Sequence, residues 1–338
     1  MARATFGFKR RQTDKKRARL AGTSLGCFGL CAQIVGDWKM LKDIFRFPQH
    51  NETQGCCFLC AARPGDIRQT STAAPWRQPR LGHWDLLERM QRQGRRVCPL
   101  FEAPGVTVRS FKIDWLHVAD LGISADWLGQ AFVFLLPICE GPSQEARVQG
   151  LWRRIQELYV ECPCDSQLED LTLNMLSPNA RSPKLRGYGA ECRGLVPIAR
   201  RMASEMLADA DGIGAAVREA TSHLHACYEA LSAHAVDASA RLAEHCRKFC
   251  TLWVDLESTM PEIFRIKPKM HLFQELCEMQ GETRPAMHWT YRDEDFGGSI
   301  VALGKRRGGH KSVRATSRQI LAKFCARYPL PDFAPARP

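Results

Sequence analysis

Long uninterrupted apolar runs are missing from this sequence. No stretch approaches the roughly 18–20 consecutive apolar residues that a membrane-spanning helix needs. The stretch 20–36 follows a basic segment, as the apolar part of a signal peptide does. Its glycines and polar residues make a poor apolar core, and Asp37 ends it without a clear cleavage site. We therefore expect neither a membrane span nor a secretory leader.

Several common short motifs of nucleotide-binding and hydrolytic enzymes are missing as well. The sequence has no P-loop, no G-x-G-x-x-G after a strand and no H-E-x-x-H. It also shows no internal repeat. We expect no small-molecule substrate, and any chemistry has to come from residues that only the fold brings together.

Acidic residues are the scarcer charged class. The 338-residue chain has 36 Asp and Glu against 48 Lys and Arg, which gives a formal net charge of +12 and an isoelectric point near 9.1. This balance indicates an acidic partner, and nucleic acid is the commonest. Apolar residues make up 45% of the chain, which is a globular composition. Its length suits two ordinary domains or one domain with a large insertion.

A disulfide framework is not expected, although the sequence has 15 cysteines. The count is odd and the spacing is scattered. Several cysteines fall on the apolar positions of helical patterns, where a free cysteine behaves as a small apolar residue. These features indicate a reducing compartment.

Two basic clusters are candidate nucleic-acid-binding segments. Residues 1–20 carry eight Lys and Arg, and this segment resembles a bipartite nuclear address or a nucleic-acid-binding arm. The alternatives are a disordered solubilising tail or a mitochondrial presequence, so the predicted location is nuclear with a mitochondrial alternative. A second basic run follows the double glycine at 297–298, and its alternative is a solvated basic face. The candidate DNA-binding residues are Lys9, Arg10, Arg11, Lys15, Lys16, Arg17, Lys305, Arg306, Arg307 and Lys311.

The apolar pattern predicts a mostly helical chain with a small β portion. Helical periodicity runs through five stripes, each with a charged opposite face, at 127–135, 148–159, 195–206, 217–231 and 242–253. A buried strand at 25–35, which ends before Asp37, and a second strand or turn at 113–120 make up the β portion. Alternating apolar residues predict a further short strand at 171–175. The remaining predicted helices are 38–47, 83–93, one that Lys267-Pro268-Lys269-Met270-His271 opens, and a last one at 316–328.

Cys57-x-x-Cys60 has the spacing of half a zinc site, because a tight turn aims both thiolates at one metal. A structural zinc site needs further ligands, and Cys56, His50 and His83 are the nearest candidates in sequence. The alternative is that these thiols pack the loop without a metal.

Acidic residues near strand ends and glycine turns are candidates for a site that holds Mg²⁺ or Mn²⁺. Two-metal phosphoryl transfer needs several carboxylates around ions about 4 Å apart. Asp37, Asp114, Asp120 and Glu294 have such positions, and Glu294 lies in a run of three acids before Phe296 and two glycines. For Asp37 the alternative is a helix N-cap, and for the acidic run it is a solvated loop.

Four motifs then occur in the order found in one transposase family. These are the run from Val35-Gly36-Asp37 through Cys57-x-x-Cys60, Asp114-x-x-His117, Lys267-Pro268-Lys269-Met270-His271 and Glu294-Asp295-Phe296-Gly297-Gly298. Together they resemble the CACTA (En/Spm) and Plavaka-type DDE transposases over roughly residues 25–315. The resemblance implies that Asp37 is the second catalytic aspartate and Glu294 the final catalytic acid. It makes Asp114 and His117 a supporting D-x-x-H pair and Cys57 and Cys60 a zinc pair.

The resemblance also implies a partial RNase-H-like α/β core that a large all-helical insertion interrupts. The expected division is a basic disordered arm at 1–22, a partial core with the Cys-rich loop at 23–122, the helical insertion at 123–262, a return to the core with the acidic turn and the basic run at 263–328, and a tail at 329–338.

Two departures from the family bear on activity. The family's first catalytic aspartate lies on an earlier strand, and here only a short basic segment precedes residue 25. Gly297 replaces the asparagine of the family's E-x-F-N-G. We expect a transposon-derived nuclear DNA-binding protein that is truncated, catalytically incomplete and at most a remnant metal-dependent nuclease. The alternative is a zinc-containing nucleic-acid-binding or protein-interaction module with no enzymatic activity.

Overall fold

The computed structural model describes residues 3–5, 24–28, 33–49, 52–53, 55–177, 180–233, 237–278, 284–291, 294–295, 297–298, 301–302 and 322. The chain divides into two compact units. The first consists of Met1–Ile34, Pro99–Ser110 and Thr290–Pro338, and the second of Val35–Cys98 and Phe111–Trp289. Of the predicted arm at 1–22 the structure describes only Arg3–Thr5, and of the helix predicted at 316–328 only residue 322.

In the first unit, strand β1 (Arg3–Thr5) pairs with β2 (Ser24–Phe28) in an antiparallel two-stranded sheet. Arg3 lies opposite Phe28 and Thr5 opposite Ser24, with an irregular register between the two pairs. The strand predicted before Asp37 falls on β2 and on a further described strand that begins at Ile34, and residues 29–32 between them lie outside the described residues.

A second sheet pairs β3 (Ile34–Gly36) with β4 (Phe111–Ile113) in parallel. Parallel strands place their carboxyl ends at the same edge of a sheet. Asp37 and Asp114 each come directly after one of these strands, so the pairing brings two predicted site residues to one edge.

Helices make up most of the second unit. In chain order they are α1 (Trp38–Asp43), α2 (His83–Arg92), α3 (Ala125–Leu135), α4 (Gln144–Glu161), α5 (Leu173–Leu176), α6 (Gly189–Met206), α7 (Gly212–Ser232), α8 (Ala238–Thr259) and α9 (Lys269–Glu278). The five predicted apolar stripes are confirmed as α3, α4, α6, α7 and α8. The mostly helical fold class with a small β portion is likewise confirmed.

The short strand predicted at 171–175 is wrong. Thr172 accepts a hydrogen bond from the N–H of Met175 through its hydroxyl, which caps the one-turn helix α5. A local side-chain cap of this kind turns the backbone even where the apolar residues alternate as in a strand. Helix α1 is likewise shorter than predicted and ends at Asp43. Phe45 and Phe47 then pack on Phe111 of β4.

The core of the helical part centres on Trp127 of α3. Its ring packs against Phe249 and Trp253 of α8 and is stacked on Phe264. Gln130, one turn further along α3, is also buried. Its side chain accepts from the indole N–H of Trp253 at 3.0 Å and bonds the backbone of Arg265 in both directions. These contacts fix α3, α8 and the segment before α9 as one packed group.

A π-helical segment, Leu116–Ser124, leads directly into α3 and contacts α3, α6 and α9. Within the described residues, Leu116–Ile138 is long and apolar enough to cross a membrane, yet 78% of its most apolar window is buried inside the protein. Asp120 in this stretch accepts hydrogen bonds from Trp115 and Tyr228. Burial and internal polar partners are what a core helix shows.

Candidate metal centre and the adjoining cavity

The loop that carries Cys57 and Cys60 is closed by backbone hydrogen bonds. The N–H of Cys56 donates to the Ala62 carbonyl at 2.8 Å. The N–H groups of Leu59 and Ala62 point at the Sγ atoms of Cys57 and Cys60, at 3.3 and 3.4 Å. Such donors favour the thiolate form of a cysteine. The two sulfurs of this turn can therefore serve as metal ligands.

Helix α9 supplies two more donors one turn apart, because His271 and Glu275 are at i and i+4 on one helix face. His271 Nε2 lies 3.3 Å from Cys60 Sγ and 3.5 Å from Glu275 Oε1. Cys57 Sγ lies 3.7 Å from the same Glu275 oxygen. One donor atom of each of the four residues lies within 4.8 Å of the others, and all four residues are buried. This group, the metal centre, could hold one metal ion.

The charges in the metal centre favour one thiolate before any metal binds. Burial acts to raise the pKa of Cys57, but hydrogen bonds from Cys60 and His271 and the His271 charge hold it well below its usual value. The hydrogen bond with Cys57, followed by burial, raises the pKa of Cys60. Burial lowers the pKa of His271, yet the contacts with Cys57 bring it above its usual value. A cation would displace the remaining protons, because metal ligands must be deprotonated.

Arg80 and Trp76 hold the ligands on α9 from outside. Arg80 donates to both carboxylate oxygens of Glu275, Nη1 to Oε1 at 2.9 Å and Nη2 to Oε2 at 2.7 Å. The Trp76 ring meets the His271 ring edge to face with 4.6 Å between centroids. Outer contacts of this kind orient metal ligands. With these outer contacts in place, His271 Nε2 faces Cys60 Sγ and Glu275 Oε1 faces Cys57 Sγ.

The other predicted zinc ligands have different positions. Cys56 lies on the same loop outside the four-residue group, and burial raises its pKa to about 12. His83 begins α2, where its ring packs on Trp84, and it is also outside the group. His50 lies outside the described residues.

His271 and Glu275 were missed as ligands by sequence reasoning. The run ending in His271 indicated only a helix start. The spacing of His271 and Glu275, with two donor side chains at i and i+4, was the signal that could have found them.

Asp37, Asp114 and His117 line one small cleft at the end of the β3–β4 pair. Asp37 is the N-cap of α1, and its Oδ1 accepts the N–H of Met40 at 2.6 Å. Asp114 accepts the N–H groups of Leu116 and His117 at 3.2 Å each, and its Oδ2 also contacts His117 Nδ1. The structure therefore brings three of the four predicted catalytic residues together, with both aspartates bonded to local backbone.

Glu294, the fourth predicted catalytic residue, lies in the first unit. Its side chain is exposed, and its backbone N–H donates to the Thr290 carbonyl at 2.9 Å. Its role as a final catalytic acid stays a prediction.

A cavity of about 560 Å³ adjoins both the aspartate cleft and the metal centre. His117 and Asp37 line it together with His271, so the three features share walls. Lysines dominate its polar lining. The charged and histidine residues of this cavity, here named the lysine cavity, are Asp37, Lys39, Lys42, His117, Asp126, Lys184, Lys267, Lys269 and His271.

Three of these lysines are held in place by partners on neighbouring elements. Lys267 Nζ lies 2.7 Å from Asp126 Oδ1, and Lys184 Nζ lies 3.9 Å from the same oxygen. Lys269 donates to the His117 carbonyl at 2.6 Å. Burial, and then the charge of Lys184, lower the pKa of Lys269. Five lysines against two aspartates leave an excess of positive charge that an anion would relieve.

The candidate DNA-binding residues at 9–17 and 305–311 lie outside the described residues, so their placement is not part of this site. The lysines of the cavity were not singled out in the sequence. They are scattered from residue 39 to residue 269, and only the fold brings together α1, the segment with Lys184 and the start of α9 that carry them.

Comparison with protein-family models, with curated proteins and with solved structures gives no match to this chain.

Proposed function

We propose that this chain is a nucleic-acid-binding protein of transposase origin that holds DNA through its phosphates and does not cut it. The lysine cavity carries the proposal. A space of about 560 Å³ is in the range of ligand sites, which run from about 300 to 1,000 Å³. It is large enough for a nucleotide-sized group, and lysines bind phosphate as point charges.

The buried position of His271 agrees with a ligand in this cavity. Its Nε2 faces the metal centre. Its Nδ1 is buried with no hydrogen-bond partner among the described residues, and the residue lines the cavity. A buried polar atom without a partner costs about 1–3 kcal/mol, so an occupant that accepts its hydrogen bond would be stabilised.

We further propose that the metal centre is a structural zinc site with Cys57, Cys60, His271 and Glu275 as its ligands. Two thiolates, an imidazole and a carboxylate suit zinc, and four protein ligands leave no open position for catalysis. The ion would tie the cysteine loop to α9. Because Lys269 begins α9, the metal would also fix one lysine of the cavity.

We propose that the chain does not cut DNA, because its two aspartates are already hydrogen-bonded within the protein. Asp37 caps α1, and both oxygens of Asp114 accept bonds from the backbone of Leu116 and His117. Carboxylates held in this way are poorly arranged to surround a pair of Mg²⁺ or Mn²⁺ ions. The partial RNase-H-like core, the CACTA or Plavaka ancestry and the nuclear location belong to the same proposal. They rest on the order of motifs and on the basic arm.

The binding test uses a labelled short duplex and the matching single strand, with affinity measured by fluorescence anisotropy at several salt concentrations. On duplex DNA the log–log slope should be about −0.9 for each phosphate contact. A Lys39→Gln, Lys42→Gln variant loses up to two phosphate contacts. Its log–log slope should therefore be less steep than that of wild type by up to about 1.8. Both side chains are partly or largely exposed, and among the described residues each forms an ion pair with Asp43 alone, so the fold should tolerate the change.

The matched control is Arg241→Gln, Lys248→Gln, which removes the same charge from α8 at positions that do not line the cavity. Its binding should equal that of wild type after correction for net charge. Equal losses in both double variants would show that the cavity has no special role. No salt-dependent binding by wild type would end the proposal.

The cleavage test incubates duplex DNA with the zinc-loaded chain and Mg²⁺ or Mn²⁺, beside an Asp37→Ala, Glu294→Ala variant. We expect no products from either protein. Cutting by wild type that the variant lacks would identify an active nuclease instead.

A further inference from the structure

Two histidines face each other across the pair of helices α7 and α8. His223 lies on α7 and His245 on α8, with their Nδ1 atoms 3.1 Å apart and their ring centroids 5.2 Å apart. Two imidazole nitrogens on one tetrahedral ion, each about 2.0–2.1 Å from it, stand about 3.3 Å from each other. The observed separation is close to that of two ligands on a single ion.

The surroundings favour the neutral form that binds metals. Two Nδ1 atoms this close cannot both carry a proton. Burial, followed by the neighbouring His245, lowers the pKa of His223, while Glu219 acts to raise it and Lys248 to lower it. Lys248 is itself bonded to Glu244 at 2.7 Å, which offsets part of its charge.

The far nitrogen of His223 has the outer partner that metal-binding histidines use. Its Nε2 lies 3.6 Å from Oε1 of Glu219, one turn back on α7. A carboxylate at this position favours the tautomer with the proton on Nε2 and the lone pair on Nδ1, directed at His245. The His223 side chain is 15% exposed and so remains in contact with solvent.

We propose that His223 and His245 form a second metal site, which binds a divalent transition-metal ion such as Zn²⁺ through their Nδ1 atoms. Imidazole ligands suit zinc, copper and nickel. The ion clamps α7 to α8 and so stabilises the helical part of the chain. The site is independent of the metal centre on α9 and of the proposed nucleic-acid binding.

The test dialyses the full-length, zinc-loaded chain against micromolar free Zn²⁺ and counts bound zinc by mass spectrometry. Wild type should hold one ion more than His223→Gln or His245→Gln. His225→Gln is the matched control, because His225 lies on the same helix and pairs with Glu229 instead. It should bind as wild type does. Circular dichroism confirms that each variant is folded.

Two further measurements separate this site from adventitious binding. Glu219→Gln should weaken the second ion by about 10–100-fold, since loss of an outer partner has that effect. Added Zn²⁺ should raise the melting temperature of the zinc-loaded wild type and of His225→Gln, and leave His223→Gln and His245→Gln unchanged. The same stoichiometry and the same melting shift in all these proteins would overturn the proposal.

Discussion

Glu275 is a completely buried carboxylate whose charge is balanced chiefly by one residue. Arg80 donates two hydrogen bonds to it, and the Arg80 side chain is itself only 25% exposed. Removing one partner of a buried ion pair is costly because the other charge is left without compensation. We therefore expect Arg80 to affect both the stability around Glu275 and the orientation of its carboxylate.

We predict that Arg80→Met lowers the free energy of unfolding by about 3–5 kcal/mol. Urea denaturation with a zinc chelator present measures it, because a bound zinc ion would itself balance the charge of Glu275. Arg92→Met is the control, because in the described part of the chain Arg92 pairs just with Glu88, on the exposed face of α2, and its loss should cost less than about 0.5 kcal/mol.

The double variant Arg80→Met, Glu275→Gln separates the two effects of losing Arg80: the uncompensated charge of Glu275 and the lost side-chain packing. In the same zinc-free state, where Glu275 does not serve as a metal ligand, removing the buried charge as well should recover much of the loss, and the coupling between the two changes measures their interaction. Equal losses for Arg80→Met and Arg92→Met would contradict the assignment.

At the scale of elements, α3 meets the segment before α6 at a glycine. A Cβ on Gly129 would lie 2.5 Å from the backbone of Lys184 and Leu185. The N–H of Leu185 donates to the Ala125 carbonyl at 2.9 Å, which holds the two backbones together. This close approach places Lys184 at the wall of the lysine cavity. The glycine thus links helix packing to the site.

We predict opposite effects for two Gly→Ala changes inside helices. Gly129→Ala should destabilise by about 1–3 kcal/mol, because the backbone it meets cannot give way as a flexible side chain would. Gly150→Ala in α4 should stabilise by about 0.5–1 kcal/mol, since its Cβ would meet only the Glu140 carbonyl at 3.5 Å. Thermal and urea unfolding of both variants provide the comparison. A gain in stability for Gly129→Ala would refute the close contact.

At the scale of the whole molecule, the metal centre joins segments that are far apart in the sequence. Cys60 and His271 are separated by 211 positions, and Cys57 and Glu275 by 218. An ion that binds only the folded chain stabilises it by mass action. The proposed zinc should therefore contribute to the stability of the second unit as a whole.

We predict that a chelator strong enough to strip zinc lowers the melting temperature of wild type, and that added Zn²⁺ restores it. Cys60→Ser should have the lower value from the start and respond much less to the chelator. Cys164→Ser serves as the control, because Cys164 lies on a half-exposed loop, where its Sγ contacts the Ser166 carbonyl. A chelator response in Cys60→Ser as large as in wild type would contradict a zinc site at Cys60.

Several features of the protein followed from the sequence because their causes are local. An i, i+3, i+4, i+7 apolar stripe describes one helix face wherever that helix lies, so α3, α4, α6, α7 and α8 could be predicted. Cys57 and Cys60 could be predicted as one half of a metal centre for the same reason, since a turn of four residues sets the bite between their sulfurs. Asp37 had two predicted roles, and its position before α1 made the N-cap recognisable.

The tertiary structure alone decided which local features meet. The second half of the metal centre could not be assigned from spacing, because His271 and Glu275 reach the cysteine loop only through the packing of α9 on the rest of the second unit. The lysine cavity likewise joins Lys39 to Lys269 across that unit. Neighbouring residues determine where a helix face or a turn forms. Which other element it packs against depends on how the whole chain buries its apolar surface, and that depends on every element at once.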